Sequence, residues 1–111
     1  MVFVMKSQQN SFNPVIKFIN DFKKIHPTEI EDVFLNGYCY WFARILSKRF
    51  YNAEIYYLPI ANHFITKIDN EYYDITGVYI LNETPYEWNK YQDFDYLDYK
   101  RVVKYCILKE D

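Results

Sequence analysis

Residues 62–75, with the sequence NHFITKIDNEYYDI, decide the fold because they predict a β-hairpin. Two runs rich in aromatic and β-branched residues, 62–68 and 71–75, flank the pair Asp69-Asn70, which is typical of a two-residue hairpin loop. With that loop, residue 68 faces residue 71, and every other pair of the two strands follows in the same register.

This register brings two polar residues to one face of the hairpin. His63 lies opposite residue 76, and Asp74 lies two positions before residue 76 on the second strand. Because side chains two apart in a strand point to the same face, His63 and Asp74 are diagonal neighbours about 7–8 Å apart between backbone positions. An aspartate at that distance can hold an imidazole in one tautomer. A register slip of one residue would put the two side chains on opposite faces.

Upstream of the hairpin, residues 38–50 (YCYWFARILSKRF) predict a helix that follows a break at Asn36-Gly37. Cys39 lies in the first turn of this helix, where the positive end of the helix dipole favours a thiolate. Backbone N–H groups in a first turn lack partners within the helix and can receive an oxyanion. Cys39 is therefore a candidate nucleophile.

The other segments indicate an α+β fold in which N-terminal helices pack on a small antiparallel sheet. Asn13-Pro14 predicts the start of a first helix, which His26-Pro27 ends. His26 itself is interpreted as a surface residue. The remaining predicted elements are a helical turn over residues 28–34, a strand over residues 53–58 and an extension of the sheet over residues 78–81.

The C-terminal third of the sequence is less regular. Residues 84–94 are aromatic and polar, and they predict a loop. Asp98 can cap a final helix, although a last strand is also compatible with the pattern. We interpret Cys106 as an inert core thiol, because its neighbours on the apolar face of this helix are Tyr99, Val102, Val103 and Ile107.

Composition restricts the classes of function. The chain has 111 residues, half of them hydrophobic, which suits a single domain over residues 1–111. A net charge of −2 argues against nonspecific binding to nucleic acid, which needs clustered Lys and Arg. No stretch approaches the roughly 20 apolar residues of a membrane span, and no secretory signal is visible. We therefore expect a cytoplasmic protein that does not bind a membrane.

The cysteines and histidines do not suggest a metal site. The chain has two of each, and they lack the paired short spacings of zinc ligands. In a reducing compartment both cysteines stay thiols. Nucleophilic chemistry at a thiol needs no further group, so we expect no cofactor.

Three short motifs together resemble the papain-like superfamily of thiol enzymes. They are GYCYWFA (residues 37–43) at a helix start, NHF (residues 62–64) opening a strand, and YDI (residues 73–75) on the next strand. The nearest relatives in pattern are NlpC-type peptidases and transglutaminase-like proteins, where Cys, His and a polar third residue follow in that order. The resemblance covers about residues 36–77, and it extends to small papain-like proteins of phages and mobile elements of low-GC bacteria.

The resemblance implies a catalytic triad of Cys39, His63 and Asp74. It also implies a side-chain oxyanion donor upstream of the nucleophile, for which Asn36 is the nearest candidate and Tyr38 a weaker one. The chain departs from the family in its length, since most members are longer and have more wall around a substrate groove.

Two functions follow from this pattern. The first is a thiol-dependent hydrolase or acyl transferase that acts on an amide or ester bond of a protein or peptide-like substrate. The second is a non-catalytic phage or mobile-element protein that uses a papain-like scaffold to bind and inhibit a host protein. Its contact surface would be the aromatic and acidic residues 84–99, because Tyr and Trp are favoured at interfaces. An accessible Cys39 next to His63 favours the first function, and a covered Cys39 favours the second.

Overall fold

The computed structural model describes residues 12–110, which adopt the expected α+β architecture. Three helices precede a five-stranded antiparallel sheet, and a helical region follows it. The helices are α1 (Pro14–Lys23), α2 (Pro27–Leu35), α3 (Cys39–Arg49), α4 (Trp88–Phe94) and α5 (Tyr96–Arg101), and α5 continues as a π-helical segment (Val102–Ile107). The strands are β1 (Ala53–Leu58), β2 (His63–Ile68), β3 (Glu71–Asp74), β4 (Gly77–Val78) and β5 (Tyr86–Glu87).

The predicted hairpin forms the centre of the sheet, whose strand order is β4-β3-β2-β1-β5. In the β2–β3 pair, Ile68 faces Glu71 and Thr66 faces Tyr73, so the predicted register is confirmed. Asp69 in the loop has a φ of 58°, in the left-handed region that Asp and Asn tolerate better than most residues. The hairpin therefore fixes which residues of the two strands share a face.

The N-terminal helices also follow the sequence signals. The side chain of Asn13 caps α1 by accepting the N–H groups of Val15 at 2.8 Å and Ile16 at 3.1 Å. α1 ends at Lys23, shortly before the predicted break, and Pro27 opens α2. α2 occupies Pro27–Leu35, so it extends one residue beyond each end of the helical turn predicted over residues 28–34.

α3 packs across the sheet and contributes to both hydrophobic clusters of the core. Phe42 and Leu46 face the first cluster, and Ala43 faces the second. Full burial of a side chain such as Phe42 contributes about 1.5–3 kcal/mol. This packing holds the N-terminus of α3 close to the start of β2. The other members are Val15, Ile19, Ile68, Tyr73 and Ile75 in the first cluster and Tyr57, Phe64, Tyr91, Val102 and Ile107 in the second.

The predicted loop over residues 84–94 is wrong, because this region forms β5 and α4. Its aromatic side chains drive the folding of these short elements, since Tyr91 is buried in the second cluster and Trp88 packs against it. A strand of two residues and a helix of seven are too short to show a clear hydrophobic period in the sequence.

The final segment is a helix and not a strand, although its cap differs from the prediction. The carboxylate of Asp95 accepts the N–H of Asp98 at 3.1 Å, so Asp95 caps α5 and Asp98 lies in its first turn. The predicted apolar face packs inward, with Val102 and Ile107 buried. No helix within residues 12–110 is long and apolar enough to cross a membrane.

β4 is shorter than the predicted strand over residues 78–81. It follows a two-residue loop in which Asp74 faces Gly77, and Gly77 has a φ of 115° that residues with a side chain rarely adopt. The N–H of Tyr79 still donates to the carbonyl of Tyr72 at 2.7 Å, after which the chain leaves the edge of the sheet.

The connection between β4 and β5, residues 79–85, crosses the sheet because these strands form its opposite edges. Glu83 in this crossing segment accepts the N–H groups of Ile60 and Ala61, each at 2.9 Å. These residues lie in the turn that precedes β2. The crossing segment therefore fixes the chain just before His63.

Candidate functional site

Cys39 is the first residue of α3, as the sequence predicts. The preceding Gly37 has a φ of 119°, which allows the chain to turn sharply into the helix. The first turn closes with hydrogen bonds from Trp41 and Phe42 to the carbonyl of Tyr38. The earlier N–H groups of the helix lack partners within it, as at any helix N-terminus.

The structure brings Cys39, His63 and Asp74 together. His63 Nε2 lies 3.0 Å from Asp74 Oδ2. The imidazole is also close enough to Cys39 to lower the pKa of its thiol. The N–H of Phe64 donates to Cys39 Sγ at 3.4 Å, so the first two residues of β2 both contact the thiol.

Two residues of the β3–β4 region complete the surroundings of this group. The N–H of Thr76 donates to Asp74 Oδ1 at 2.8 Å, and the Thr76 hydroxyl donates to the same oxygen at 2.5 Å. The ring of Tyr79 lies 5.6 Å from the imidazole of His63 between ring centres. The imidazole of His63 therefore lies between the carboxylate of Asp74 and the ring of Tyr79.

The pKa of the Cys39 thiol is lower than that of an ordinary cysteine. Burial alone opposes the charged form and raises this pKa. The hydrogen bond with His63, the N–H of Phe64 and the charge of His63 act in the opposite direction and outweigh burial. The N–H of Cys39 itself adds to this effect. The thiolate is thus stabilised by its position at the helix start and by the start of β2.

The pKa of His63 changes in the opposite sense. Burial disfavours the imidazolium, but the hydrogen bonds with Asp74 and Cys39 raise the pKa of His63 to about 9. Burial also raises the pKa of Asp74, while the hydrogen bonds from His63 and Thr76 lower it below its ordinary value overall. These three pKa shifts all favour the charged forms, which are the thiolate of Cys39, the imidazolium of His63 and the carboxylate of Asp74. Such an arrangement can deliver a nucleophile and a proton to the same substrate.

The three side chains differ in access to solvent. Cys39 is half-buried, whereas the side chains of His63 and Asp74 are 12% and 6% exposed. The aromatic residues Tyr38 and Trp41 flank Cys39 and are 45% and 40% exposed. Cys39 is therefore partly exposed as a residue, while the side chains of His63 and Asp74 are largely buried.

The structure does not turn Asn36 toward the thiol. Its amide donates to the carboxylate of Asp32 at 2.7 Å, within α2. Tyr38, the weaker candidate, is exposed, and the ammonium of Lys109 lies 4.8 Å from the centre of its ring. In this arrangement the backbone donor to the thiol is the N–H of Phe64, at the start of β2, at 3.4 Å.

A polar network on the other side of His63 has no signal in the sequence. Asn62 Oδ1 accepts the hydroxyl of Tyr57 and lies 3.4 Å from Arg101 Nη2, and the amide of Asn62 lies 3.6 Å from Cys106 Sγ. Asn62 has a φ of 54°, a left-handed conformation that asparagine tolerates better than most residues. The contacts to Arg101 and Cys106 join residues about 40 positions apart, so no spacing rule could find them.

His26 is exposed at the start of α2, as expected. Within residues 12–110, no group of three or more His, Cys, Asp or Glu side chains could hold a metal ion. A cavity of about 850 Å³ lies beside α1 and is lined by residues such as Asn13, Lys17 and Tyr73, away from the thiol.

Comparison with protein families gives one match. Residues 16–106 match the family model described as "Phage YunG-like protein". The match covers more than half of the 111 residues, and the chain belongs to the phage YunG-like family. Searches of curated proteins and of solved structures found no match. The expectation of a phage-type protein is thus confirmed.

Proposed function

We propose that this member of the phage YunG-like family is a papain-like thiol hydrolase or acyl transferase that acts on an amide or ester bond. The observation that carries the proposal is the position of Cys39 beside the start of β2, where the N–H of Phe64 donates to its sulfur at 3.4 Å and the adjacent His63 is held by Asp74 at 3.0 Å. A thiol at a helix N-terminus, an imidazole and a carboxylate in this order are the parts that an activated thiol nucleophile requires. The partial exposure of Cys39 further supports catalysis over the alternative of a covered thiol.

In the first half of the reaction, the Cys39 thiolate attacks the carbonyl carbon of the substrate and a C–S bond forms. The carbonyl electron pair moves to oxygen, and the backbone N–H of Cys39 at the start of α3 stabilises the resulting oxyanion. When this intermediate collapses, the C–N or C–O bond breaks and the His63 imidazolium protonates the leaving group. The product is a thioester on Cys39.

In the second half, His63 acts as a base. It accepts a proton from water, or from an acceptor amine or alcohol, as that molecule attacks the thioester. The C–S bond then breaks and Cys39 leaves as a thiolate. Asp74 holds the imidazole through Nε2 and stabilises the imidazolium that forms in each cycle.

The aromatic residues near Cys39 in the chain suit an extended protein or peptide-like segment. Tyr38, just before α3, and Trp41, in its first turn, are both exposed, and exposed aromatic side chains suit contacts with a peptide chain. The proposal places the reaction in the reducing cytoplasm of the host. There Cys39 and Cys106, which are unpaired thiols in the structure, remain reduced.

The proposal is tested with an activated ester such as p-nitrophenyl acetate. We expect a burst of p-nitrophenol of about one equivalent per chain, together with an acetyl group on Cys39 that mass spectrometry detects. Cys39→Ser and His63→Ala are expected to lose both signals, while Cys106→Ala keeps them. Acetylation of Cys39 at equal rates in the wild type and in His63→Ala would contradict the proposal.

The alternative of a binding protein keeps one specific observation in its favour. Phe94, at the end of α4, and Tyr96 and Leu97, at the start of α5, are 60%, 53% and 78% exposed among acidic neighbours. A host-expression experiment separates the two functions. If a growth effect on the host is kept by Cys39→Ala and lost by Leu97→Asp, binding is the function. The reverse pattern supports catalysis.

A further inference from the structure

We propose that Thr76 is a positioning residue of this site, which holds the carboxylate of Asp74 so that its second oxygen faces His63. The inference rests on the proposed function, because it assigns Thr76 a part in activating the Cys39 thiol. Thr76 acts through Asp74 and does not itself contact the reacting atoms.

The two carboxylate oxygens of Asp74 have different hydrogen-bond partners. Oδ1 accepts two hydrogen bonds from Thr76, one from its N–H at 2.8 Å and one from its hydroxyl at 2.5 Å. Oδ2 lies 3.0 Å from His63 Nε2. With Oδ1 fixed by two donors, rotation of the carboxylate is restricted, and Oδ2 keeps its direction toward the imidazole.

The backbone fixes the position of Thr76 itself. It lies in the two-residue loop between β3 and β4, where Asp74 faces Gly77 across the loop. The N–H of Tyr79 donates to the carbonyl of Tyr72 and keeps this end of the hairpin closed. The Thr76 hydroxyl is therefore placed by the sheet.

Packing does not account for the choice of threonine. Thr76 is exposed to solvent, whereas Asp74 is 5% exposed. An exposed threonine contributes little to the core, so the role of its hydroxyl is the bond to Asp74. A hydrogen bond to a charged group is stronger than one between neutral groups. The bonds from Thr76 therefore help to stabilise the charged carboxylate of Asp74 and to lower its pKa.

The groups that face the carboxylate define how the effect reaches the thiol. Asp74 faces His63 on β2, whose ring lies 5.6 Å from that of Tyr79 on the crossing segment. The charges of Asp74 and of Glu83 both act on Tyr79, and His63 and Cys39 influence each other's pKa. The pKa of Tyr79 is raised by burial and by the charge of Asp74, so its phenol stays neutral at and below neutral pH. Loss of the Thr76 hydroxyl would therefore leave the carboxylate of Asp74 less well held. The imidazolium of His63 would then be less stabilised, and so would the thiolate of Cys39.

The test uses the pH dependence of alkylation of Cys39 by iodoacetamide, in a Cys106→Ala background. For Thr76→Val we expect a rate about threefold to tenfold lower at about pH 6 and a profile displaced to higher pH. Thr76→Ser keeps the hydroxyl and is expected to restore the wild-type profile. In an Asp74→Asn background, Thr76→Val is expected to add no further loss, because its effect passes through the carboxylate.

Thr66 provides a matched control for the removal of a hydroxyl. It lies on β2, is buried and has no hydrogen-bond partner within the described residues. Thr66→Val should leave the alkylation profile unchanged. Circular dichroism and the midpoint of chemical unfolding show whether each variant is folded.

The outcomes separate this inference from the proposed function. An unchanged profile in Thr76→Val, beside an activated Cys39 in the wild type, overturns the role of Thr76 alone. A Thr76→Ser profile as displaced as that of Thr76→Val also overturns it. If the ester burst is absent but the Thr76→Val profile is displaced as expected, the proposed function fails and the role of Thr76 stands.

Discussion

Cys39 and Cys106 are both half-buried and both pack against the second hydrophobic cluster, yet their polar surroundings differ. Cys39 begins a helix and contacts the imidazole of His63 and the N–H of Phe64. Cys106 lies in the last turn of the π-helical segment, and the hydrogen-bonding partner of its sulfur is the uncharged amide of Asn62. The pair shows that burial alone does not decide the chemistry of a cysteine. The end of the helix and the charge of the neighbour decide it.

Removal of the His63 side chain should have the largest effect on the difference in reactivity between Cys39 and Cys106. In His63→Ala, the rate of Cys39 alkylation at about pH 6 is expected to fall by about tenfold or more, because the thiolate loses a charge-assisted hydrogen bond. The rate for Cys106 should stay the same. Both rates are measured in one sample by mass spectrometry of the alkylated peptides. Equal rates for Cys39 in the wild type and the variant would remove the contrast between the two thiols.

The next effect concerns the proton on His63. Its pKa of about 9 means that the imidazolium is present below that pH and is lost as the pH rises through it. Asp74→Asn removes a hydrogen bond that raises this pKa, so the titration midpoint of His63 should move to lower pH. NMR titration in a His26→Gln background follows the one remaining imidazole. A midpoint that stays near 9 in Asp74→Asn would show that Asp74 does not support His63.

Much of the site could be predicted from the sequence because its parts are local. The Asp69-Asn70 loop set the register of the hairpin, and the register set the shared face of His63 and Asp74. The break at Gly37 set the start of α3 at Cys39. Each of these relations depends on a turn and a period of two or 3.6 residues, which the sequence displays directly.

The rest of the structure depends on contacts that sequence spacing does not contain. Residues 84–94 form β5 and α4 because their aromatic side chains are buried against distant neighbours such as Tyr57. Distance along the chain from Cys39 favours Asn36 as an oxyanion donor, but in the structure the amide of Asn36 donates to Asp32. The hydroxyl of Thr76 is a donor to Asp74 only because the β3–β4 loop is tight.

Cys106→Ala tests whether the reactivity of Cys39 is independent of the second thiol. The contacts of Cys106 are to Asn62 and to apolar neighbours, and none is to Cys39. We expect Cys39 alkylation to stay within about twofold of the wild type, and the free energy of unfolding to fall by about 1 kcal/mol. Urea unfolding measures the second effect. A large loss of Cys39 reactivity would mean that the two thiols are coupled.

Thr66→Val should produce the smallest change, and in the opposite direction. The Thr66 hydroxyl is buried without a partner in the described part of the chain, so its removal relieves a desolvation cost. We expect the free energy of unfolding to rise by up to about 1 kcal/mol, with neither thiol altered in reactivity. A decrease in stability would indicate that the hydroxyl has a partner such as a bound water molecule.

The central claim is that Cys39 is an activated thiol and Cys106 is not. The most direct measurement is the pH dependence of iodoacetamide alkylation at both cysteines of the wild-type protein, resolved by peptide mass spectrometry. The account predicts that Cys39 reacts well below about pH 8.5, the value typical of an ordinary thiol, while Cys106 reacts slowly over the same range. Profiles that coincide for the two cysteines would contradict it.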